Sequence, residues 1–300
     1  MSILIKTLIC GGEVSLAVLD TTALVQEAIA RHKLSPVCAA ALGRTLTAAA
    51  YLCSWLKGAD DGLSVTVAGD GPGGKICVSG DSALQMRGFI EHTDVELPLR
   101  ADGKLAVGAC VGRHGTLTVI REEAGALPFV GTSELVSGEI GEDFSAYFYT
   151  SEQRPTAIAV GVKVTAEGEC LGAGGVFLQP LPGASEESVS FAEAAIARYG
   201  DISSQIAARG AERIVGEDFS AAAMERRRIF YRCHCSREKI AGILLSMGRD
   251  ELSRILEEEG KVSVHCHYCN TDHDFYAEDI ARLFGDTEKE HGKTEHHPKT

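Results

Sequence analysis

The stretches "RCHCSREK", residues 232–239, and "VHCHYCN", residues 264–270, decide the architecture at the C-terminal end of this chain. The first holds a C-x-C pair and the second a C-x-x-C pair, with thirty residues, 236–265, between the two pairs. The intervening residues have the pattern of two helices and a strand, which can fold the pairs together. Four thiolates in tetrahedral geometry form a common structural zinc site. The sequence therefore predicts one Zn²⁺ held by four cysteines: Cys233, Cys235, Cys266 and Cys269.

Other readings of these motifs remain open at this stage. Several histidines lie close enough in sequence to compete as ligands: His234, His265, His267 and His273. Four cysteines already complete a tetrahedral shell, and His234 would strain to reach an ion held by its two neighbours. Unliganded thiols are the remaining alternative. A zinc ribbon fits less well, because it would use two CxxC pairs about 15–20 residues apart, whereas this chain has one CxC pair and a separation of thirty residues. A thioredoxin-like motif also fits less well, because its CxxC would begin a helix, whereas both sides of this CxxC read as strand.

The close spacing within each pair suggests a second chemical state. Cysteines two or three positions apart can reach the Cα separation of a disulfide, and such small loops gain little stability from closure. The four sulfurs can therefore bind zinc when reduced, or form two local disulfides and release it. A domain of about 55 residues is near the lower size limit for folding without a metal, so zinc loss should unfold it.

The composition is that of a globular protein, with 45% hydrophobic and 24% charged residues, which argues against general disorder. A net charge of −13 disfavours non-specific binding to nucleic acid or anionic membranes, so neither is expected as a partner. No apolar run approaches the ~20 residues of a membrane span. The N-terminus has no signal-peptide cleavage pattern, which predicts a cytoplasmic location. Six further cysteines stand singly in apolar segments and are expected to be core thiols: Cys10, Cys38, Cys53, Cys77, Cys110 and Cys170.

The pattern along the chain predicts an α+β fold with four segments. Residues 1–180 read as a mixed core domain of strands and helices, including a long buried helix from Pro36 to Gly58. Residues 181–232 have weak helical periodicity interrupted by glycines, typical of a helical linker that folds only by packing on a neighbour. Residues 233–287 form the predicted zinc domain. The polar residues 288–300 are predicted to be a disordered tail.

Three other motifs have structural explanations. "GDGPGGK", residues 69–75, resembles a phosphate-binding loop but lacks the following Ser or Thr and continues as a strand, so a hairpin turn is expected. The carboxylates Glu139, Glu142 and Asp143 are expected to be solvated on a helix face. The basic cluster "MERRRIFYR", residues 224–232, is expected to be a helix end or a partner for acidic residues of the linker.

The cysteine motifs "CHCSREK" and "HCHYCNTDHDF", with "SGEIGEDFSAYFYTSEQRPTAIAVGVKV" and "GGVFLQPLPGASEE", resemble the redox-regulated 33-kilodalton heat-shock chaperone family. The similarity extends over nearly the whole chain. It implies an ATP-independent holdase, not an enzyme, that is inactive when reduced and zinc-bound. Oxidation would pair Cys233 with Cys235 and Cys266 with Cys269. Zinc would then leave, the C-terminal domain and linker would unfold, and a homodimer would bind unfolding client proteins.

Two other classes of function are compatible with a cysteine-rich site. A zinc-dependent nucleic-acid-binding regulator is disfavoured by the acidic charge and the single basic cluster. A thiol oxidoreductase, or an unrecognised enzyme in the N-terminal domain, would need a reactive site, and no Ser-His-Asp arrangement or open metal site is evident. ATP-independent suppression of aggregation only after oxidation would distinguish the chaperone from both.

Overall fold

The computed structural model of this protein describes residues 1–285. The chain divides into two compact units, one ending at Cys233 and the other beginning at His234. The predicted disordered tail, 288–300, lies outside the described residues, as do the last two residues of the predicted zinc domain. The predicted α+β class is confirmed: a large sheet and several helices form the first unit, and a small mixed unit follows.

The first unit, residues 1–233, contains ten strands and six helices. The strands are β1 (Ser2–Ile9), β2 (Val14–Asp20), β3 (Gly62–Gly69), β4 (Ile76–Asp81), β5 (Gln85–Ile90), β6 (Gly115–Glu122), β7 (Phe129–Glu134), β8 (Ala157–Val164), β9 (Cys170–Pro180) and β10 (Glu225–Tyr231). The helices are α1 (Thr22–His32), α2 (Pro36–Cys53), α3 (Val107–Val111), α4 (Gly141–Thr150), α5 (Glu186–Ile196) and α6 (Ile202–Arg213).

The ten strands form one sheet in the order β7-β6-β3-β4-β5-β10-β1-β2-β9-β8. Strand β10 joins two antiparallel halves, because it runs antiparallel to β1 and parallel to β5. The glycine-rich segment 69–75 connects β3 to β4, which pair antiparallel, so the predicted hairpin turn is confirmed. Helix N-terminal amides, which a phosphate-binding loop requires, do not follow it.

Helix α2 is the central helix of the first unit. Ser35 precedes it in an extended conformation and Pro36 occupies its first turn, as the sequence predicts. Every residue of the helix except Pro36 and Arg44 is buried. Among the described residues, it is the helix long and apolar enough to cross a membrane, yet 89% of it is buried inside the protein, as in many core helices. It ends at Cys53, five residues before the predicted end at Gly58.

Alternating side chains of the β1-β2-β9 strands pack on two different apolar clusters. Leu4, Leu19 and Phe177 point into the core around α2. Their neighbours Ile5 and Val18 belong to a second cluster on the opposite face. Period-two alternation with both faces covered explains why these strands read as nearly continuous apolar runs.

Residues of the predicted linker cover that second face. Helices α5 and α6, with the π-helical turn Ile214–Asp218, contribute a set of buried side chains to it: Ala192, Ala195, Tyr199, Ile202, Ile206, Ala211, Ile214 and Val215. Helix α6 approaches the sheet closely, because a methyl group added at Gly172 of β9 would collide with the carbonyl oxygen of Ser203. The helical prediction fails for residues 225–231, which form β10, since pairing with strands on both sides overrides a weak local helical preference.

The single cysteines of the first unit behave largely as expected. Cys38, Cys53, Cys110 and Cys170 are buried, whereas Cys10 and Cys77 are half-buried. Burial raises the pKa of the Cys170 thiol to about 11, which keeps it protonated and weakly reactive.

The second unit contains three helices and one hairpin within residues 234–285. They are α7 (Arg237–Met247), α8 (Arg249–Glu259), β11 (Val262–Cys266), β12 (Thr271–Phe275) and α9 (Ala277–Leu283), in the order that the sequence predicts. The core consists of six buried apolar side chains: Ile240, Leu244, Leu252, Val262, Phe275 and Ile280. Such a small core offers limited stability of its own.

Candidate metal centre

The two cysteine pairs lie at the ends of regular elements. Cys233 follows β10 after one intervening residue, and Cys235 immediately precedes Ser236, the N-cap of α7. The Ser236 hydroxyl accepts a hydrogen bond from the Lys239 N–H at 3.2 Å, which fixes the start of this helix beside Cys235.

The second pair occupies the β11–β12 hairpin. Cys266 is the last residue of β11 and is paired with Thr271 of β12. The Cys269 N–H donates a hydrogen bond to the Cys266 carbonyl at 3.3 Å, and Asn270 has a left-handed φ of 52°. Asn tolerates this conformation better than most residues, so the turn closes directly after Cys269.

The four Sγ atoms come together in one cluster. All lie within 4.8 Å of one another, and the Cys235 and Cys269 sulfurs are 3.2 Å apart. Zn–S bonds of about 2.3 Å in tetrahedral geometry place sulfur atoms roughly 3.8 Å apart, so this donor set fits a metal ion after a small adjustment. Cys269 is buried and the other three are half-buried. The cluster could therefore hold one metal ion, consistent with zinc, and remains reachable by small molecules.

The histidines named as rival ligands do not join this cluster within residues 1–285, where the group of possible ligands consists of the four cysteines. His265 Nδ1 lies 2.7 Å from Asp272 Oδ1, across the hairpin from it. The rings of His265 and His267 meet edge to face, with centroids 5.0 Å apart. This geometry favours an all-sulfur donor set.

Arg237 connects α7 to the hairpin and to α9. Its guanidinium donates to the Asp274 carbonyl at 2.7 Å, pairs with Asp279 at 2.7 Å and lies over the Phe275 ring at 4.2 Å. The hydrogen bond from the Tyr276 N–H, and then the ion pair with Arg237, lower the pKa of Asp279. One side chain thereby ties the element after Cys235 to the strand that follows Cys269.

The carboxylates 139–143 have structural roles in the first unit, and the expectation that solvation explains them is wrong for two of the three. Asp143 is fully buried and accepts hydrogen bonds from four backbone N–H groups, those of residues 136, 137, 138 and 140. Glu139 pairs with Arg44 at 2.7 Å and Arg100 at 2.8 Å, which helps to lower its pKa. These partners hold the loop before α4. The partners of Asp143 are local, whereas those of Glu139 lie far away along the chain, where no sequence pattern indicated them.

Together, the fold and the cluster define a two-unit α+β protein in which three thiols of the small C-terminal unit meet that of Cys233, the residue directly before it, in a group suited to a metal ion. The sequence model of the Hsp33 protein family matches residues 2–276, and this chain belongs to that family.

Named relatives agree with this assignment. The chain is 41% identical over 286 residues to the 33 kDa chaperonin of Bacillus cereus strain G9842, covering 93% of this chain and 97% of the relative. It is 40% identical over 285 residues to the 33 kDa chaperonin of Bacillus anthracis strain CDC 684, with the same coverage. The crystal structure of the 33 kDa chaperonin of Thermotoga maritima superposes with a TM-score of 0.85 at 32% identity, covering 94% and 97% of the two chains.

Family membership supports a chaperone function and implies binding of unfolded client proteins. The names of the relatives suggest a non-enzymatic chaperone. How the four-thiol cluster serves that function is a separate question of chemistry.

Proposed function

We propose that this protein is an ATP-independent holdase controlled by the redox state of the four cysteines. In the reduced form, Cys233, Cys235, Cys266 and Cys269 hold one zinc ion and the protein is inactive. Oxidation to two disulfides releases the metal, unfolds the second unit and the linker, and allows dimerisation and client binding in the cytoplasm. The observation that carries the proposal is the four-sulfur cluster in a unit with six buried apolar side chains.

Metal binding would supply much of the stability of the second unit. Zinc bound to four thiolates contributes about 10–16 kcal/mol of apparent binding free energy in small finger peptides. A unit of this size without metal has a folding free energy of only about 3–8 kcal/mol by the usual per-residue scaling. Because one pair of ligands precedes α7 and the other lies in the β11–β12 hairpin, loss of the metal would free these two elements from each other.

Oxidation by a peroxide balances within each cysteine pair. A thiolate attacks one peroxide oxygen, the O–O bond breaks, and a sulfenic acid forms as hydroxide leaves and takes up a proton as water. The second thiol of the pair then attacks this sulfur, the S–O bond breaks, and a disulfide and a second water form. Each disulfide thus consumes one peroxide and converts two ligands into groups that bind zinc poorly.

The pairing in the oxidised form is proposed as Cys233 with Cys235 and Cys266 with Cys269. Cys235 and Cys269 have sulfurs 3.2 Å apart, so proximity alone does not select these local pairs. A Cys235–Cys269 disulfide would hold the second unit closed, whereas two local disulfides leave its ends free to separate. Unfolding on oxidation therefore requires the local pairing.

Unfolding of the linker would expose an apolar surface for client binding. Helices α5 and α6 cover an apolar face that includes Leu16 and Val18 of β2 and Val176 and Leu178 of β9. If the linker unfolds, this face and the linker's own apolar side chains become exposed. Contiguous exposed apolar surface is typical of interaction sites, which supports binding of unfolding proteins.

Two arginines of the basic cluster have partners within the first unit, which supports a structural role rather than nucleic-acid binding. Arg226 pairs with Glu212 at 3.1 Å, and Arg227 donates to the Ser82 carbonyl and lies 3.7 Å from Glu225.

A paired assay tests the proposal on reduced, zinc-loaded protein exposed to peroxide at elevated temperature. Zinc release is followed with a chromogenic chelator, and light scattering of a heat-denatured client is recorded on the same samples. We expect zinc release and suppression of scattering to rise together, and Cys10→Ser to behave like the unaltered protein because Cys10 lies outside the cluster. If zinc is released but the light scattering of the client is not suppressed, the cluster has only a structural role and the redox switch is rejected.

A peptide map of the oxidised protein tests the pairing separately. Local disulfides leave peptides from the 233–235 and 266–269 regions unlinked to each other. A linked peptide joining Cys235 to Cys269 would contradict the proposed pairing.

A further inference from the structure

Strand β10 is unusual for a strand in the middle of a large sheet. Only one of its side chains, that of Ile229, is buried, and Phe230 is 49% exposed. Central strands are normally covered on both faces and are among the most apolar segments of a fold. Backbone pairing holds it along Ser2–Lys6 of β1 and at Gln85 and Met86 of β5. Its side chains add few further contacts, chiefly the Tyr231 hydroxyl, which donates to the Gly88 carbonyl at 2.9 Å, and the Arg227 guanidinium, which donates to the Ser82 carbonyl.

The two halves of the sheet remain connected without β10. Helix α2 packs on β4 and β5 of one half and on β8 and β9 of the other. The apolar cluster around it contains Leu4 and Leu19 from one half together with Val65 and Val78 from the other. Loss of β10 would open a gap between β1 and β5 and leave this shared core in place.

Both flanks of β10 belong to the segments that the proposed switch releases. On one side, Arg232 alone separates β10 from Cys233, and the Arg232 N–H donates to the Met86 carbonyl at 2.8 Å. On the other side, the linker reaches Met224, whose N–H donates to the Lys6 carbonyl at 3.0 Å. When the part of the linker before β10 and the second unit unfold, β10 keeps its own backbone pairing, the contacts of Ile229 and Tyr231, and the hydrogen bond from Arg227 to the Ser82 carbonyl.

We propose that β10 is a displaceable strand, and that the gap between β1 and β5 binds an extended segment of an unfolded polypeptide by strand addition. The gap, called here the β10 slot, is bounded by Ser2–Lys6 of β1 on one side, and on the other by Gln85 and Met86 of β5 with the preceding Leu84. This inference rests on the proposed redox switch, since the slot opens only when the flanks of β10 are released.

The chemistry of the slot defines its ligand. Its two walls offer backbone N–H and C=O groups, which recognise any extended chain irrespective of most side chains. One buried position, that of Ile229, favours an aliphatic or aromatic side chain there. Proline is excluded from the middle of the ligand because it lacks an N–H. Unfolded proteins supply such segments in many sequences, and a folded protein presents few.

The slot also explains why the reduced protein would not bind clients. Two facing open edges are a template for pairing with other chains, which native proteins cover. In the reduced state β10 pairs with both edges, and a client segment would have to displace it. Because β10 belongs to the same chain, it is always present beside these edges.

Hydrogen exchange of the full chain tests displacement directly. Amides of β1 and β5 should exchange at least about tenfold faster in the oxidised, zinc-free protein than in the reduced one, while β3, β4 and β6 stay protected. Addition of an unfolded client should restore protection in β1 and β5. Unchanged protection of both strands on oxidation would overturn the proposal.

A peptide with the sequence of residues 222–232, AAMERRRIFYR, tests binding to the slot without any client. Its fluorescently labelled form should bind oxidised protein at least about tenfold more tightly than reduced protein, measured by anisotropy. The matched control carries Ile229→Pro, which removes a backbone donor and the buried side chain, and should bind much more weakly.

The outcomes separate this inference from the proposed function. If oxidised protein suppresses client aggregation but neither binds the peptide nor loses protection in β1 and β5, the slot is rejected and the switch stands. If oxidised protein binds the peptide selectively over its proline control but fails to suppress aggregation, the slot is supported and the holdase function is rejected. Equal binding of both peptides would reject strand addition.

Discussion

Replacing Ile206 with alanine should loosen the linker of the reduced, metal-bound protein. Ile206 lies on α6, is 3% exposed and packs against the backbone of β9 near Gly174. Truncation of a buried isoleucine to alanine costs about 2–5 kcal/mol through lost burial and the remaining cavity. At 1.4 kcal/mol for each factor of ten, the open linker should become about 30-fold to several thousand-fold more populated.

Hydrogen exchange and client aggregation measure this effect without oxidation. Amides of α6 should exchange faster in the Ile206→Ala protein while the cysteines stay reduced and the metal stays bound, and client scattering should fall in part. Gly172→Ala should act in the same direction by a different route, since its methyl group would collide with Ser203.

Phe191→Ala is the matched control, because Phe191 of α5 is 40% exposed and its loss should change exchange little. The contradicting result is that α6 opens in both the Ile206→Ala and the Gly172→Ala proteins while clients still aggregate as with the unaltered protein. Opening of the linker would then be insufficient to expose a client-binding surface.

Three further predictions concern the metal, a buried carboxylate and pH. Removal of the metal from reduced protein with a chelator should unfold the described part of the second unit. The far-UV circular dichroism signal of helix should fall, and protease should cleave the chain after residue 234. A metal-free unit that keeps its helical signal and resists protease would contradict this dependence on metal. Asp143→Asn should lower the free energy of unfolding of the first unit by about 2–4 kcal/mol in urea titrations, because four N–H donors lose a charged acceptor. Glu142→Gln is the control, because Glu142 lies on the exposed helix surface and its replacement should change this free energy little. Hydrogen bonds from Ser185 and Ser188 lower the pKa of Glu13 from 4.5 to about 2, so this contact stabilises the start of α5 above pH 4.5 and is lost as the pH falls toward 2. Exchange of α5 amides should therefore rise with acid over that range, and Glu13→Gln should remove this dependence; an unaltered acid response in Glu13→Gln would disprove it.

Local sequence patterns were sufficient for most individual elements. The strand β1, the hairpin from β3 to β4 and the succession of helices and hairpin in the second unit follow from periodicity, caps and turn residues. Strand β10 lies in a segment predicted to be helical, and the sequence pattern also does not identify β5 and β7 as strands. Strands β5 and β7 are short and bounded by turns, and β10 carries three consecutive arginines that give it no apolar alternation.

The four cysteines of the cluster were also identifiable before the structure, because two tight pairs separated by foldable residues leave few other arrangements. Their metal and disulfide roles remain predictions. The partners of Glu139 were beyond the reach of sequence reasoning, since Arg44 lies 95 residues from it. Pairings of this kind depend on which elements pack together, and a single sequence does not specify them.

The α+β class, the positions of most helices and strands and the two cysteine pairs are readable from the sequence, because they depend on residues close together in the chain. Three arrangements emerge only from the folded chain: α6 packs on glycines of β9, β10 joins the two halves of the sheet, and the four sulfurs meet within 4.8 Å. These arrangements depend on backbone pairing and close packing between distant segments. The free energy that stabilises these arrangements comes from contacts between segments far apart in the chain, which the periodicity of a single segment does not encode.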